Sequence, residues 1–317
     1  MNPRRLVTLG PLLLALSLAA AGSASTGPTP SPFTSFPIPK GSQPAEITLG
    51  PDGNLWYTIQ NSSRIGRITP GGASTTFRTP EFSTPSDIVA GPDGNLWFTE
   101  GSTGKIGRIT TDGDITEFMF SFFGVSSGIT VGPDGNIWFT DVTANAVWRF
   151  DLNTGVFTSF EVPTPNAFPG DIAAGTDGNL WFVETAVSKI AKITTDGVIT
   201  ELDEPLDLPS HITTGPDGNI WFTEAVSQRI GKITPDDDQF TFYPTDLHTL
   251  GTITPGFGQT LLFTSFGDNR VAQITTDGVI TASPEIPNSE PTGITRGPGS
   301  SVWFLGFQSN RVYRFLR

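Results

Sequence analysis

The 317-residue chain contains no cysteine, which excludes disulfides, cysteine nucleophiles and thiolate metal sites. It has only two histidines, His211 and His248, so few side chains could act as a base near neutral pH. Beyond the N-terminus, no segment keeps apolar residues at helical spacing over ten residues. We therefore expect a nearly all-β protein that depends on packing alone for its stability.

Basic residues are also scarce, because 18 Lys and Arg residues stand against 31 Asp and Glu residues, for a formal charge of −13. This balance disfavours nucleic acid and anionic lipid as partners and favours cations and neutral or basic ligands. We expect a monomer with no nucleic-acid or membrane partner, whose acidic face binds a small molecule or a protein.

Only one long apolar run is present, from Leu6 to Ala21, between a pair of arginines and a group of small residues. This pattern is typical of a secretory signal peptide, here residues 1–24, and the run is shorter than the ~20 residues of a membrane span. Residues 25–31 form a linker rich in Ser, Pro and Gly. The sequence thus predicts a secreted or periplasmic protein.

The chain contains a tandem repeat, which is clearest in the segment GPDGNLWFTE from Gly91 to Glu100. The marker residue of each copy falls at Trp56, Trp97, Trp138, Trp181, Trp221, Leu262 and Trp303. The markers are 40 to 43 residues apart, the length of one four-stranded propeller blade. The sequence therefore predicts an all-β, seven-bladed β-propeller over residues 32–317.

Ring closure can be predicted from the two ends of the chain. The seventh unit supplies three strands before Arg317, and the segment PFTSFPIP (32–39) resembles the fourth-strand segment VFTSFEVP (156–163). We expect the N-terminal strand to complete the last blade, since closure leaves only short protected sheet edges.

The Asp-Gly pairs in GPDG and TTDG are predicted to form tight hairpin turns, because glycine adopts positive φ at no steric cost. No helix start follows them, so a phosphate-binding loop is excluded. In a four-stranded meander both turns lie on one face of the ring. The other two connections lie on the opposite face, where the candidate functional residues collect.

On that face, the position before the recurring isoleucine of each first strand should surround the mouth of the central channel. We call these positions the inner ring: Glu46, Asp87, Gly128, Asp171, His211, Thr252 and Gly293. Carboxylates from neighbouring blades could share Mg²⁺ or Ca²⁺, which prefer oxygen ligands. The pattern predicts a cation held by Glu46, Asp87 and Asp171. His211 is a candidate base oriented by Asp171, or an ordinary partly buried histidine.

A second set lies at the ends of the second strands. Its acidic members, the outer acids, are Glu100, Asp141, Glu184 and Glu224. They could also bind a cation, but three of them lie five residues before a Lys or Arg, and we favour exposed cross-strand ion pairs. The expected pairs are Glu100–Lys105, Glu184–Lys189 and Glu224–Arg229.

The repeat PxxIxxGPDGNLWFTE, followed by KIGRIT, resembles that of the streptogramin (virginiamycin B) lyases over roughly residues 32–317. The resemblance implies a seven-bladed propeller that opens a cyclic depsipeptide antibiotic by elimination at its ester, using Mg²⁺ held by glutamates and a histidine base.

The family's Glu-Pro-His-Gly-Ile motif matches Glu290-Pro291-Thr292-Gly293-Ile294. The resemblance thus implies that Glu290 is a metal ligand and part of the catalytic set, whereas Thr292 replaces the base. Two further family positions, a glutamate and a histidine, become Phe307 and Gly251. Because threonine cannot act as a base at neutral pH, we predict a degenerate lyase site and a binding function.

Two enzymatic alternatives remain open: a metal-dependent lyase with His211 as a relocated base, and a metal-dependent lactonase with Glu46, Asp87 and Asp171 as ligands. We expect His248, in the connection before blade six, to be solvated. Blade six also lacks the GPDG turn and the tryptophan, which predicts an uneven pocket beside His248 and Phe257.

Overall fold

The computed structural model describes residues 32–122 and 124–316, so the predicted signal peptide (1–24) and linker (25–31) lie outside the described residues. The described chain forms seven antiparallel sheets of four strands. The first strands of consecutive sheets contact one another in turn, and the last contacts the first. This closed ring confirms the predicted seven-bladed β-propeller.

The first strand is β1 (Phe33–Pro37). Blades one to three contain β2 (Pro44–Leu49), β3 (Leu55–Ile59), β4 (Arg64–Ile68), β5 (Ser74–Arg78); β6 (Pro85–Ala90), β7 (Leu96–Glu100), β8 (Lys105–Ile109), β9 (Ile115–Met119); and β10 (Ser126–Val131), β11 (Ile137–Asp141), β12 (Ala146–Phe150), β13 (Phe157–Glu161).

Blades four and five contain β14 (Pro169–Ala174), β15 (Leu180–Glu184), β16 (Lys189–Ile193), β17 (Ile199–Leu202); and β18 (Pro209–Thr214), β19 (Ile220–Glu224), β20 (Arg229–Thr234), β21 (Gln239–Pro244). Blades six and seven contain β22 (Leu250–Pro255), β23 (Thr260–Ser265), β24 (Arg270–Thr275), β25 (Ile280–Ala282); and β26 (Pro291–Arg296), β27 (Ser301–Gly306), β28 (Arg311–Leu316). A single 3₁₀ turn spans Thr185–Val187.

The N-terminal strand completes blade seven, as predicted. β1 pairs antiparallel with β28, from Phe33 opposite Phe315 to Pro37 opposite Arg311. Phe36 of this strand stacks on Trp303, with ring centroids 5.6 Å apart. The first and last described segments of the chain therefore share one sheet.

The core consists of apolar clusters that span the interfaces between blades. Each marker tryptophan is buried against the next blade; Trp56, for example, packs with Ile88, Leu96 and Phe98 of blade two. The indole N–H donates to the aspartate four residues earlier in five blades and to Ser301 in blade seven, at 2.9 to 3.3 Å. The aspartates of the GPDG turns therefore also orient the core tryptophans.

Every first strand carries a register shift just after its first residue. A β-bulge of this kind redirects a side chain, and here the inner-ring residue lies at the bulge. In blade two, Thr99 accepts the Asp87 N–H at 3.0 Å and donates to the Ser127 carbonyl of blade three at 2.9 Å. This buried threonine recurs as Thr58, Thr140 and Thr223, and it joins each bulge to the next blade.

Within residues 32–122 and 124–316, no helix is long and apolar enough to cross a lipid bilayer.

Loss of the closing strand should destabilise the ring, because it exposes the edge of β28 and removes Phe36 from Trp303. We compare a chain that starts at Gly41 with one that starts at Pro30 and keeps β1. The shorter chain should melt at least about 10 °C lower, equivalent to several kcal/mol for a domain of this size. Equal melting temperatures by circular dichroism would contradict this role for β1.

Candidate functional site

A cavity of about 570 Å³ at the centre of the ring, the channel mouth, is lined mainly by the first strands of the blades. Glu46, Asp87, Asp171 and His211 all line it, as do Gly128 and Thr252 of the inner ring. The structure therefore brings together the four inner-ring residues that the sequence singled out on chemical grounds.

The two aspartates use their carboxylates to link neighbouring blades. Asp87 accepts the backbone N–H of Ile88 in its own strand at 2.7 Å and that of Ile129 in blade three at 2.9 Å. Asp171 repeats the arrangement with Ile172 at 2.8 Å and Ile212 of blade five at 2.9 Å. Both oxygens of each carboxylate thus satisfy backbone donors that the bulges leave unpaired.

Glu46 reaches across the channel to two other blades. Its Oε1 accepts a hydrogen bond from the Thr252 hydroxyl at 2.7 Å and lies 3.7 Å from His211 Nε2. A Cβ on Gly293 would lie 2.7 Å from Glu46 Cα and 2.8 Å from Glu46 Oε2, so this glycine permits the close approach of blade seven to blade one. His211 Nδ1 lies 3.3 Å from the Ser210 hydroxyl. The Glu46–His211 distance fits an ion pair but is long for a hydrogen bond.

Burial and neighbouring charges shift the pKa values of Asp87, Asp171 and His211. Burial raises the pKa of Asp87 well above its usual range, and the charges of Asp171 and Glu46 add to the effect. Burial also raises the pKa of Asp171 to about 6, although His211 opposes this shift. For His211, burial disfavours the imidazolium, but Glu46 and the two aspartates outweigh it and raise the pKa. The channel mouth therefore favours a protonated His211.

The remaining site candidates lie elsewhere. Among the described residues that line the channel mouth, Glu290 is absent. Its N–H donates to Asn269 at 2.9 Å and its carbonyl accepts from the Phe307 N–H at 3.1 Å, in the connection that enters blade seven. His248 is 58% exposed, as expected, but it pairs with Asp268 at 3.1 Å. Of the four carboxylates predicted to bind a metal, Glu46, Asp87 and Asp171 therefore line the channel mouth, whereas Glu290 lies outside it.

Three of the four positions matched to the lyases' catalytic residues, Thr292, Phe307 and Gly251, lack catalytic chemistry. The Thr292 hydroxyl donates to the Pro44 carbonyl of blade one at 3.1 Å. Phe307 packs against Phe266, with ring centroids 6.3 Å apart. A Cβ on Gly251 would lie 2.6 Å from the Thr264 hydroxyl oxygen, so a larger residue there requires a shift.

Comparison with known proteins identifies the family. The model of the virginiamycin B lyase family matches residues 16–207 and 202–317. This chain belongs to that family. No curated protein sequence matches it.

Two solved structures of virginiamycin B lyase from Staphylococcus aureus share 31% identity with this family member, over 90% of this chain and 99% of theirs, with a TM-score of 0.83. One is a catalytically inactive histidine-to-alanine variant with quinupristin. The hydrazine synthase of Kuenenia stuttgartiensis has 16% identity over 87% of this chain and 96% of its own, with a TM-score of 0.70, and it shares the fold alone.

The matched positions of this family member do not fit the lyases' Mg²⁺. Of the four, only Glu290 carries a carboxylate, and one carboxylate is a poor Mg²⁺ site. Across residues 32–122 and 124–316, no three His, Asp or Glu side chains come together in a way that could hold a metal ion.

The outer acids differ from the exposed pairs predicted for them, because all four are fully buried. Lys105 binds Glu117 at 2.7 Å, and Lys189 binds Glu201 and Asp203 at 3.4 and 3.1 Å. Two of the three expected pairs are therefore wrong. Each lysine instead reaches an acid on or just after the fourth strand, which sequence spacing alone did not indicate.

The third expected pair, Glu224–Arg229, forms, but the Glu224 side chain is buried. Glu224 binds Arg229 and also accepts the Asp207 N–H at 2.7 Å. Asp141 accepts three backbone N–H groups, from Val125, Thr143 and Ala144. These two outer acids organise the connections beside them.

The burial of the Glu184 and Glu100 carboxylates is less well compensated by hydrogen bonds. Among the described residues, neither carboxylate oxygen of Glu184 has a hydrogen-bond partner. Burial raises the pKa of Glu184 to about 7, with a further contribution from Glu201. Burial likewise raises the pKa of Glu100 to about 7; Glu117 adds to the shift, and a hydrogen bond from Thr103 opposes it. Both groups therefore favour the neutral form in the folded protein below about pH 7.

A Glu184→Gln substitution should stabilise the protein at high pH. The pKa of Glu184 is above its usual 4.5 in the folded state, so its ionisation costs stability. The cost grows as the pH rises from about 4.5 and is complete above about 7. We expect a gain of roughly 1–3 kcal/mol at pH 8 and little change at pH 4.5, because one pKa unit corresponds to about 1.4 kcal/mol.

Denaturant unfolding at the two pH values measures this difference. Glu224→Gln is the matched control, since it removes the partner of Arg229 and should destabilise the protein at pH 8. Equal stability of wild type and Glu184→Gln at pH 8 would contradict the shifted pKa.

Proposed function

We propose that this protein is an exported, ligand-binding member of the virginiamycin B lyase family that has lost the lyase reaction. The observation that carries the proposal is the loss of three of the four matched catalytic positions, now Thr292, Gly251 and Phe307. A site of this family without its histidine base cannot remove the proton that elimination requires. The signal-peptide pattern of residues 1–24 supports export to the periplasm or the cell exterior.

His211 does not occupy the place of the lost base. Its Nε2 lies 3.7 Å from Glu46 Oε1 and its Nδ1 lies 3.3 Å from the Ser210 hydroxyl, so both ring nitrogens face groups of the channel mouth. It also lies in blade five, apart from Glu290 at the entrance to blade seven. The contacts of His211 with Glu46 and Ser210 support a role in ordering the channel mouth.

The ligand we propose for the channel mouth is a cation, either a divalent ion or the positively charged group of a small molecule. Glu46, Asp87 and Asp171 line one cavity with a single histidine among them. Each carboxylate oxygen retains acceptor capacity beyond the one hydrogen bond it accepts here. Because no three described His, Asp or Glu side chains come together to hold a metal ion, Mg²⁺ or Ca²⁺ would bind through at most two of these carboxylates, with water completing the coordination.

An enzymatic function is the second candidate. The family's glutamate is kept as Glu290, and this chain covers 99% of the length of the Staphylococcus aureus lyase at 31% identity. Lyase activity would require His211 as the base; lactonase activity would require a cation on Glu46, Asp87 and Asp171 that activates water. The two reactions differ in their products, since elimination gives an alkene and hydrolysis gives an acid and an alcohol.

Incubation with quinupristin and Mg²⁺ tests the loss of the lyase reaction. We expect the ring to stay intact by chromatography with fragmentation mass spectrometry, because the linear elimination product has the same mass as the cyclic antibiotic. The Staphylococcus aureus enzyme, as a positive control, should open it. A linear alkene product from the wild type that is lost in both Glu290→Gln and His211→Ala would establish the lyase instead. A linear product heavier by one water would establish ester hydrolysis.

Titration with Ca²⁺ or Mg²⁺ tests the cation at the channel mouth. One of these ions should raise the melting temperature in a saturable manner, because an ion that binds only the folded state stabilises it. Glu46→Gln should abolish at least about half of the rise, and Asp171→Asn should also reduce it. Glu290→Gln is the matched control and should leave the rise unchanged. No calorimetric affinity for either ion would contradict the proposed site.

A further inference from the structure

A second cavity, the blade-six pocket, has a volume of about 220 Å³ and lies between blades six and seven. Its lining is almost entirely apolar and includes Leu262, Val271, Val302 and Phe315. Phe257 also lines it, as the sequence led us to expect, but His248 does not. This pocket is separate in position and in chemistry from the acidic channel mouth.

The corresponding space in every other blade is filled by a tryptophan. In those six blades a basic side chain on the third strand lies over the indole ring, at 5.2 to 5.9 Å. In five of them an aromatic ring on the fourth strand also stacks on the indole, with centroids 5.3 to 5.6 Å apart. Each of these interfaces is therefore a layered stack of planar groups.

Blade six has lost all members of that stack together. Strand register places Leu262 where the tryptophan lies, and Gln273 opposite it in place of the basic residue. Ser283 takes the place of the stacking ring, and Gly258 that of the aspartate that accepts the indole N–H. Three of these four, Leu262, Gln273 and Ser283, line the pocket. The void is the space that their larger counterparts would occupy.

Within the part of the chain that the structure describes, the pocket also lacks a cover that is present at other blade interfaces. In blade one, the Phe77 ring occupies the space beside Gly113, in the turn between the third and fourth strands of blade two. Blade seven has no such turn, because its third strand ends the described chain and its fourth strand begins it. Thr281 and Ala282 on the pocket lining are exposed, so the cavity is accessible from the outer edge.

The volume limits the size of the occupant. An apolar cavity of roughly 150 Å³ stays dry and binds benzene, whereas pockets for drug-sized ligands start near 300 Å³. A space of about 220 Å³ therefore fits a bicyclic ring but not a whole antibiotic. The first 31 residues contain no aromatic side chain, so that segment cannot supply such a ring.

We propose that the blade-six pocket is a binding site for a planar, uncharged aromatic group of indole size. The ring lies against Leu262, Val302 and Phe315, and the amide of Gln273 on the pocket lining can meet a polar edge of the ligand. The Ser283 hydroxyl already donates to the Pro284 carbonyl and accepts the Val271 N–H. It replaces the missing member of the interface, as the tryptophans do in the other six blades. A ligand bound there bridges blades six and seven.

Indole is the probe that tests this site. It should bind the wild-type chain at a single site by isothermal titration calorimetry and raise the melting temperature as the site fills. Leu262→Trp introduces the tryptophan of the other six blades and fills the cavity, so indole affinity should fall at least about tenfold, a loss of about 1.4 kcal/mol in binding free energy. Val279→Trp is the matched control, because Val279 is 62% exposed and does not line the pocket.

A second variant guards against misfolding of Leu262→Trp. Ser283→Phe restores the stacking ring from the open edge and should also reduce indole affinity, without a change at the buried position. Binding of indole to the wild type and to Val279→Trp, with loss in either pocket variant that remains folded by circular dichroism, supports the site. Failure of indole to bind the wild type, or equal binding to both folded pocket variants, would overturn it.

Discussion

Burial of a large planar side chain between neighbouring blades is the interaction on which this structure depends. A single four-stranded sheet cannot remove its own apolar face from water, so each blade is stable only when the next one covers it. The marker tryptophans supply that contact in six of seven blades, with a cation above the ring and, in most, a second aromatic ring beside it. Closure by β1 is needed for the same reason, since otherwise one face of the series would stay exposed.

The channel mouth is a consequence of this packing. Once the blades are closed into a ring, the bulges of their first strands face one another, and the backbone N–H groups there need partners. Asp87 and Asp171 supply partners across the blade interface, and the buried threonines of the WFT motif do so from the second strands. Charge at the centre of the ring thus has a structural role, and binding of a cation would use the acceptor capacity that remains.

Family membership and the residues at the site lead to different expectations of function. The fold and 31% identity place the chain with the virginiamycin B lyases, whereas the matched catalytic positions hold Thr292, Gly251 and Phe307. Function belongs to a site and not to a fold, so the local chemistry decides. Blade six also departs from the other blades of this chain, because it lacks their set of stacked interface side chains and contains a cavity.

The sequence alone determined the number of blades, the turn positions, the closing strand and the residues of the inner ring, because each follows from a local pattern repeated at a fixed period. The burial of the outer acids, the lysine contacts with Glu117 and Glu201, and the separation of Glu290 from the channel mouth were decided only by the tertiary structure. Those features depend on how far neighbouring blades approach each other. Distances between blades are set by side chains from distant parts of the chain, and a repeat period carries no information about them.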